Sequence, residues 1–180
     1  MIKKDDYAIV LDFLPHGYPL EGKMRAIVQA IGQQHLALLE LAPVRGASIA
    51  VKEKVYIGPE KRDKIYYIIG RLRTEKLTET AKIQLQEFIE QTVGEREKEF
   101  VDFFNNAQAM NTRLHQLELL PGFGKKHTQE ILDVREKKPF ASFEDIKERV
   151  KSIPDPKKTI EKRIWEEIVE NPRQRLFVKF

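Results

Sequence analysis

From Tyr7 to Leu72 the chain is a succession of short apolar, β-branched and aromatic runs separated by turn residues, a pattern of strands rather than long helices. It predicts strands over Tyr7 to Leu14, Met24 to Ile31, Leu36 to Leu41, Ile49 to Ile57 and Ile65 to Leu72. The breaks fall at Pro15-His16-Gly17, Gly32-Gln33-Gln34, Pro43 to Gly46 and Gly58-Pro59. Five short strands close most economically into a small barrel. Ala26-Ile27-Val28 and Leu36-Ala37-Leu38-Leu39 are continuously apolar instead of alternating, so these segments are expected to be covered on both faces or partly helical.

After Arg73-Thr74 the period changes. Ala81, Leu85, Phe88 and Ile89 fall on one helical face, and Thr78 is placed to cap its start. Gly94 interrupts this helix, and Phe100, Phe103, Phe104 and Ala107 resume the spacing on a second one whose opening is acidic, with Glu95, Glu97 and Glu99. Phenylalanines at helical spacing read as a packing stripe between the barrel and the carboxy-terminal segment, not as a cofactor pocket. Asn105-Asn106 and Asn111 mark breaks before that last segment.

Composition bounds what such a chain can do. With 180 residues and 41% hydrophobic positions it can bury one ordinary core or two small ones. The absence of cysteine excludes disulfides, thiolate zinc sites and thiol catalysis, and agrees with a cytosolic setting. No run suits a membrane span, and the start, Met1-Ile2-Lys3-Lys4-Asp5-Asp6, lacks the apolar segment of a signal peptide. The net charge of +4 hides a division: the balances are +4 over residues 1 to 77, −4 over 78 to 111 and +4 over 112 to 180. Two basic ends flanking an acidic middle suit an anionic partner for the ends, although charge runs are also what solvated faces look like.

The chemistry concentrates in Leu120-Pro121-Gly122-Phe123-Gly124-Lys125-Lys126. Asn111 or Thr112 can cap a short helix carrying Leu114, Leu117 and Leu120, which Pro121-Gly122 then stops. Gly122 can take the positive backbone angle that reverses the chain, Phe123 anchors the turn, and Gly124 leaves the start of a second helix bare. The first N–H groups of that helix have no intrahelical partner, so a phosphate can approach them across Gly124. Lys125 and Lys126 add countercharge.

These residues resemble the helix-hairpin-helix family, with Thr128 at its small position, Ile131 and Leu132 at its aliphatic pair and Arg135 at its basic one. Phe123 replaces the usual aliphatic. Lys138 to Ile146 is similar to the linker between paired hairpins, with Ser142 and Asp145 spaced as a capping box. In the second hairpin's place, Val150 to Lys158, Ser152 and Pro154 stand where the glycines belong. That hairpin is therefore read as degenerate, its following helix closing a core with Ile160, Ile164, Trp165 and Ile168, and Lys157, Lys158, Lys162 and Arg163 read as surface charges that could contact a backbone. The resemblance implies contact with phosphates and not bases, independent of sequence and sensitive to salt.

In the amino-terminal part, Lys61, Arg62 and Lys64 form a basic loop followed by Tyr66-Tyr67, Arg71 and Arg73. These suit an OB-type barrel that tracks a single strand, with at most one of the two tyrosines able to stack on a base and both equally able to be core. Taken with Leu-Pro-His-Gly at 14 to 17 and the long helices, the chain resembles an uncharacterised archaeal family, domain-of-unknown-function family 655. That resemblance implies an OB-like domain joined to a helix-hairpin-helix domain that binds RNA or DNA, with no established activity.

The expectation is thus a multi-domain chain: an OB-like β-barrel (1–77), an acidic helical linker or layer (78–111) and an all-α helix-hairpin-helix domain (112–180). It binds nucleic acid without catalysing a reaction and needs no cofactor. His16, His35, His115 and His127 have no metal-ligand spacing. Two other readings stay open. One is a scaffold that docks a protein through 78–111. The other is a DNA glycosylase-lyase, which the resemblance raises because Lys126 stands where that family has its nucleophile. Those enzymes also need a downstream aspartate, for which Asp145 is the nearest candidate, but its capping position explains it.

Overall fold

β1 (Tyr7–Leu14) forms over the residues its alternation predicts, and β2 (Ile27–Gly32), β3 (Leu38–Pro43), β4 (Lys54–Tyr56) and β5 (Ile65–Arg71) come after it in a computed structural model that describes residues 4–179. Met1–Lys3, part of the stretch read as lacking a signal segment, lie outside the described residues. Every strand pairing is antiparallel, in the order β4-β1-β2-β3-β5. Alternation sends Ala8, Val10, Val28, Ala30, Leu41, Val55 and Ile65 into one cluster, which Ile49 and Ile57 complete.

β2 is buried at every position, as its unbroken apolar run implies for a strand covered on both faces. On the face away from the cluster sits Gln29, fully buried. Its Nε2 donates to Lys76 O at 2.7 Å and its Oε1 accepts the Thr78 N–H at 3.2 Å. Thr78 carries that connection into the first helix: its hydroxyl donates to Asp12 Oδ2 at 2.6 Å and accepts the Ala81 N–H at 3.1 Å. This is the predicted cap. Asp12 reaches it because the register with β2 shifts between Val10 and Asp12, a bulge that re-aims the following side chain.

The expected closed barrel is corrected here. Among the described residues no ladder joins β4 to β5, so the curled sheet keeps two edges and is a half-barrel. The reason lies in the fourth predicted strand, of which only Lys54–Tyr56 forms. Ahead of it the chain turns: Glu53 N–H bonds Ala50 O at 3.2 Å, and Lys52 takes a φ of 73°. Three residues are too few to bridge the gap.

The separate helical domain is corrected as well. The helices are α1 (Glu79–Glu95), α2 (Glu97–Asn106), α3 (Lys125–Lys137), α4 (Phe143–Arg149) and α5 (Pro156–Val169). One compact unit gathers the chain up to Phe88 together with everything from Glu167 on, and the other is Ile89–Glu166. Both boundaries fall inside continuous helices, α1 and α5, so no all-helical domain begins or ends in a linker. The fold is α+β, a five-stranded antiparallel half-barrel sheet with five helices, and not a multi-domain assembly of OB-like barrel, linker and all-α domain.

Within the sheet unit, Glu167 is fully buried and its Oε1 accepts the N–H groups of Leu176, Phe177 and Val178 at 2.9, 2.9 and 3.1 Å. Lys179 N–H then bonds His35 O at 3.0 Å. Within the helical unit, α1 runs through Gly94 and breaks two residues later at Arg96, whose φ and ψ of −102° and 31° leave the helix. Phe100 and Phe104 are core. No described helix is long and apolar enough to cross a membrane.

Candidate functional site

The hairpin forms where its glycines place it. Gly122 sits at φ 78°, the left-handed region that favours glycine, and Phe123 N–H closes the turn onto Leu120 O at 3.1 Å. Phe123 is buried, its ring 6.3 Å from Phe104 and 5.7 Å from His127. Gly124 is the N-cap of α3, and Thr128 makes the first intrahelical bonds, N–H and hydroxyl both to Gly124 O at 3.1 and 2.9 Å. The amides of Lys125, Lys126 and His127 precede those bonds and face outward from the positive end of the helix.

Gly124 itself has no structural reason to be glycine. Its φ of −116° and ψ of −167° are ordinary extended backbone, and a Cβ built there would meet nothing within 4 Å. The bare position leaves open space in front of three unbonded amides.

The arm before the hairpin differs from expectation. Asn111 Oδ1 accepts the N–H groups of Arg113 and Leu114 at 2.8 and 2.9 Å, closing a turn that starts no helix. The chain then extends through His115 into a single 3₁₀ turn, Gln116–Leu119. His115 Nδ1 accepts the Leu117 N–H at 3.1 Å while Glu118 accepts the His115 N–H at 2.8 Å. Burial, with Arg135 adding to it, holds the His115 imidazole below its usual range.

The predicted basic residues divide. Lys125 is exposed, and its ammonium donates to Arg113 O at 2.8 Å with Glu118 at 3.4 Å. Lys126 is exposed and makes no ion pair with a described residue. Arg135 turns inward, donating to Phe104 O at 3.0 Å, and burial lowers its pKa. Hairpin and arginine are thus not brought together as one surface.

The degenerate second hairpin shows what the first lacks. Asp155 accepts the Lys158 N–H on its carboxylate at 3.1 Å, and Thr159 bonds Asp155 O through its N–H and its hydroxyl at 3.0 and 2.8 Å. The Thr128–Gly124 arrangement is repeated, but with a carboxylate in place of open space and Pro156 as first helical residue. An anion is already supplied there.

In the sheet unit the predicted residues also separate. Arg62 Nε donates to Gly58 O at 2.8 Å, and Lys64 is held by Ser48 O and the Glu53 carboxylate, whose pKa that pairing lowers. Lys61 stays exposed. Tyr66 is 72% exposed while Tyr67 is half-buried beneath Arg25, which settles which ring is open to solvent. Arg71 and Arg73 stand elsewhere, on the rim of a cavity that also takes in Leu36 and Asn171. Sequence reading did not single out these last two.

The family described as a protein of unknown function, DUF655, matches residues 4–179. The chain belongs to this family. An uncharacterised family relative from Methanocaldococcus jannaschii is 41% identical over 180 residues, covering 99% of this chain and 82% of the relative. A crystal structure of a DUF655 protein from Archaeoglobus fulgidus superposes with a TM-score of 0.82 at 44% identity, covering 96% of this chain and 99% of that one. The α+β fold is therefore that of DUF655 throughout and not a barrel with an appended module.

Proposed function

We propose that this DUF655 protein is a cytoplasmic, non-enzymatic nucleic-acid-binding protein that grips the phosphate backbone of RNA or DNA at the Gly122–Lys126 hairpin. The observation that carries this reading is Gly124. Neither its backbone angles nor its surroundings call for glycine, so what its missing side chain provides is access to the amides of Lys125, Lys126 and His127. Lys126 and the partly neutralised Lys125 supply charge beside them. Contact of this kind reads no base, so binding is independent of sequence and falls steeply with salt. In the sheet unit, Lys61 and the exposed ring of Tyr66 are the groups left for a single strand.

The docking-scaffold reading draws no support from 78–111. Phe100 and Phe104 are buried, and the large apolar side chains exposed there, Ile83 and Met110, are single residues far apart in the chain. The glycosylase-lyase reading finds Asp145 occupied, its carboxylate accepting the Ala141 N–H at 2.9 Å and pairing Arg149 at 3.1 Å.

Fluorescence anisotropy against matched single-stranded and duplex RNA and DNA at two salt concentrations tests the proposal. Salt-sensitive binding that weakens at least about tenfold in the triple variant Gly124→Val, Lys125→Ala, Lys126→Ala is the expected result. Unchanged affinity in a folded triple variant removes the hairpin from the mechanism.

A further inference from the structure

β5 is an edge of the open sheet, and its ladder with β3 skips two of its residues. Glu40 pairs with Gly70 and Leu41 with Ile68, which leaves Ile69 over. Ala42 pairs with Tyr67 and Pro43 with Ile65, which leaves Tyr66 over. The two skipped residues are also the large apolar side chains that β5 exposes, Tyr66 at 72% and Ile69 at 38%. A bulge re-aims the side chain of its extra residue, which is how an aromatic ring comes to stand open to solvent on this edge. That ring meets the ring of Tyr67 edge to face, centroids 5.4 Å apart and planes at 73°.

Tyr67 in turn carries the Arg25 guanidinium, 5.2 Å from its centroid. Arg25 is exposed, and its side chain makes no hydrogen bond or ion pair with a described residue. The ring contact therefore holds a planar cation whose N–H fork stays open. Arg25 ends the connection from β1 to β2, which three contacts fix. Gly17, the last residue of Leu-Pro-His-Gly, has a φ of 71°, and a Cβ on it would clash with Arg25 O. Tyr18 donates its hydroxyl to Glu40 Oε2 at 3.0 Å, and Glu21 pairs with Lys76 at 2.7 Å. The last two contacts occupy both carboxylates, while Lys23 in the same connection and Lys61 ahead of β5 are exposed with no ion pair to a described residue.

These features discriminate between occupants. A protein strand added to the edge needs an uninterrupted row of backbone groups, and two register shifts within one strand break that row. The edge offers side chains instead, an open ring and an unpaired planar cation joined through Tyr67. A nucleotide has the matching parts, a base to stack and a phosphate to accept from the fork, and the base has a free face only where the strand is unpaired.

We propose that Tyr66, Tyr67 and Arg25 form a platform for single-stranded nucleic acid, with Tyr66 stacking on a base, Arg25 holding a neighbouring phosphate, and Lys23 and Lys61 adding charge. The proposal rests on the nucleic-acid reading above but not on the hairpin: it names a separate site and the class of strand that site takes.

The test measures, by anisotropy on the full chain, a labelled single-stranded oligoadenylate against a strand of equal length built of abasic spacers. The base-bearing strand should bind at least about tenfold better. Tyr66→Ala, a change at an exposed position, should bring the two strands within about twofold of each other. Arg25→Gln should weaken both by about threefold or more and leave their ratio unchanged. In the 15N-labelled chain the oligoadenylate should shift the amides of Arg25, Tyr66 and Tyr67. The hairpin triple variant should keep both the preference for bases and those shifts, so failure here and failure of the hairpin reading are told apart. Overturning results are equal binding of the two strands, a Tyr66→Ala variant that keeps the preference, or an Arg25→Gln variant that binds both strands as the unmodified chain does. A hexaglutamate peptide that shifts the same amides as strongly as the oligoadenylate would also overturn the proposal, assigning the edge to an acidic protein segment.

Discussion

A Cβ placed on Gly122 would lie 3.2 Å from Pro154 Cγ, so the turn of the first hairpin is packed against the proline of the second. The two glycines two residues apart therefore have different roles. Gly122→Ala must place a side chain both at a φ of 78° and against Pro154, and is expected to lower stability by about 1–2 kcal/mol. Gly124→Ser meets neither obstacle and supplies a favourable cap, so its stability should stay within about 0.5 kcal/mol, while its hydroxyl takes the amides a phosphate would need. Urea unfolding and anisotropy, run on both variants, check the split: stability lost in one, affinity in the other.

Glu167 gathers three N–H groups on one buried oxygen. Glu167→Gln keeps an acceptor but loses the charge that strengthens those bonds, and should cost about 1–3 kcal/mol. Its second signature is local. The amides of Leu176 to Val178 should exchange hydrogen faster than those of β2, and an unchanged exchange pattern would contradict the anchoring role.

His115 makes stability depend on pH in a definite sense. Its folded pKa lies below the usual 6.5, so the unfolded chain takes up the proton first and acid favours unfolding. The contribution is complete above about pH 6.5 and is lost as the pH falls toward the folded value. His115→Asn retains an oxygen to accept the Leu117 N–H but cannot titrate. Denaturation midpoints measured from pH 7.5 to 5 should fall less steeply in this variant.

Arg149 gathers the end of α3. Its guanidinium donates to Val134 O at 3.1 Å, Lys138 O at 2.6 Å and Pro139 O at 3.3 Å, pairs with Asp145 and lies 4.8 Å over the Phe140 ring. A lysine cannot reproduce that fork. Arg149→Lys should destabilise by about 1–3 kcal/mol, read as a lower urea midpoint at unchanged slope.

What the sequence made legible was local. Alternation placed β1 at both ends, and Thr78 announced the cap of α1, because each signal lies within a few residues of its effect. Gly122 and Gly124 were legible for the same reason. The open sheet was not, since closure turns on whether β4 and β5 meet, and nothing within Ile49 to Ile57 states that only Lys54–Tyr56 will pair. Asn105 was legible only as a break. In the structure its side chain pairs with the backbone of Phe140 as a strand would, accepting its N–H at 2.7 Å and donating to its carbonyl at 2.9 Å. The cavity was least legible of all, because Arg71 and Asn171 meet across 100 residues of chain.

Ile89–Glu166 is spliced into a unit whose other pieces flank it in the chain. For Glu167 to hold the carboxy-terminal segment from Leu176 to Val178, everything between must first bring its two ends within reach. A loop of that length left disordered would carry a standing entropic penalty, growing as the logarithm of its length. Folding the insert converts that penalty into a fixed span, so the helices should form early and the tail should seat last. The rate at which this protein reaches its native state is then governed by the insert, and lesions far from the sheet should slow the sheet's completion.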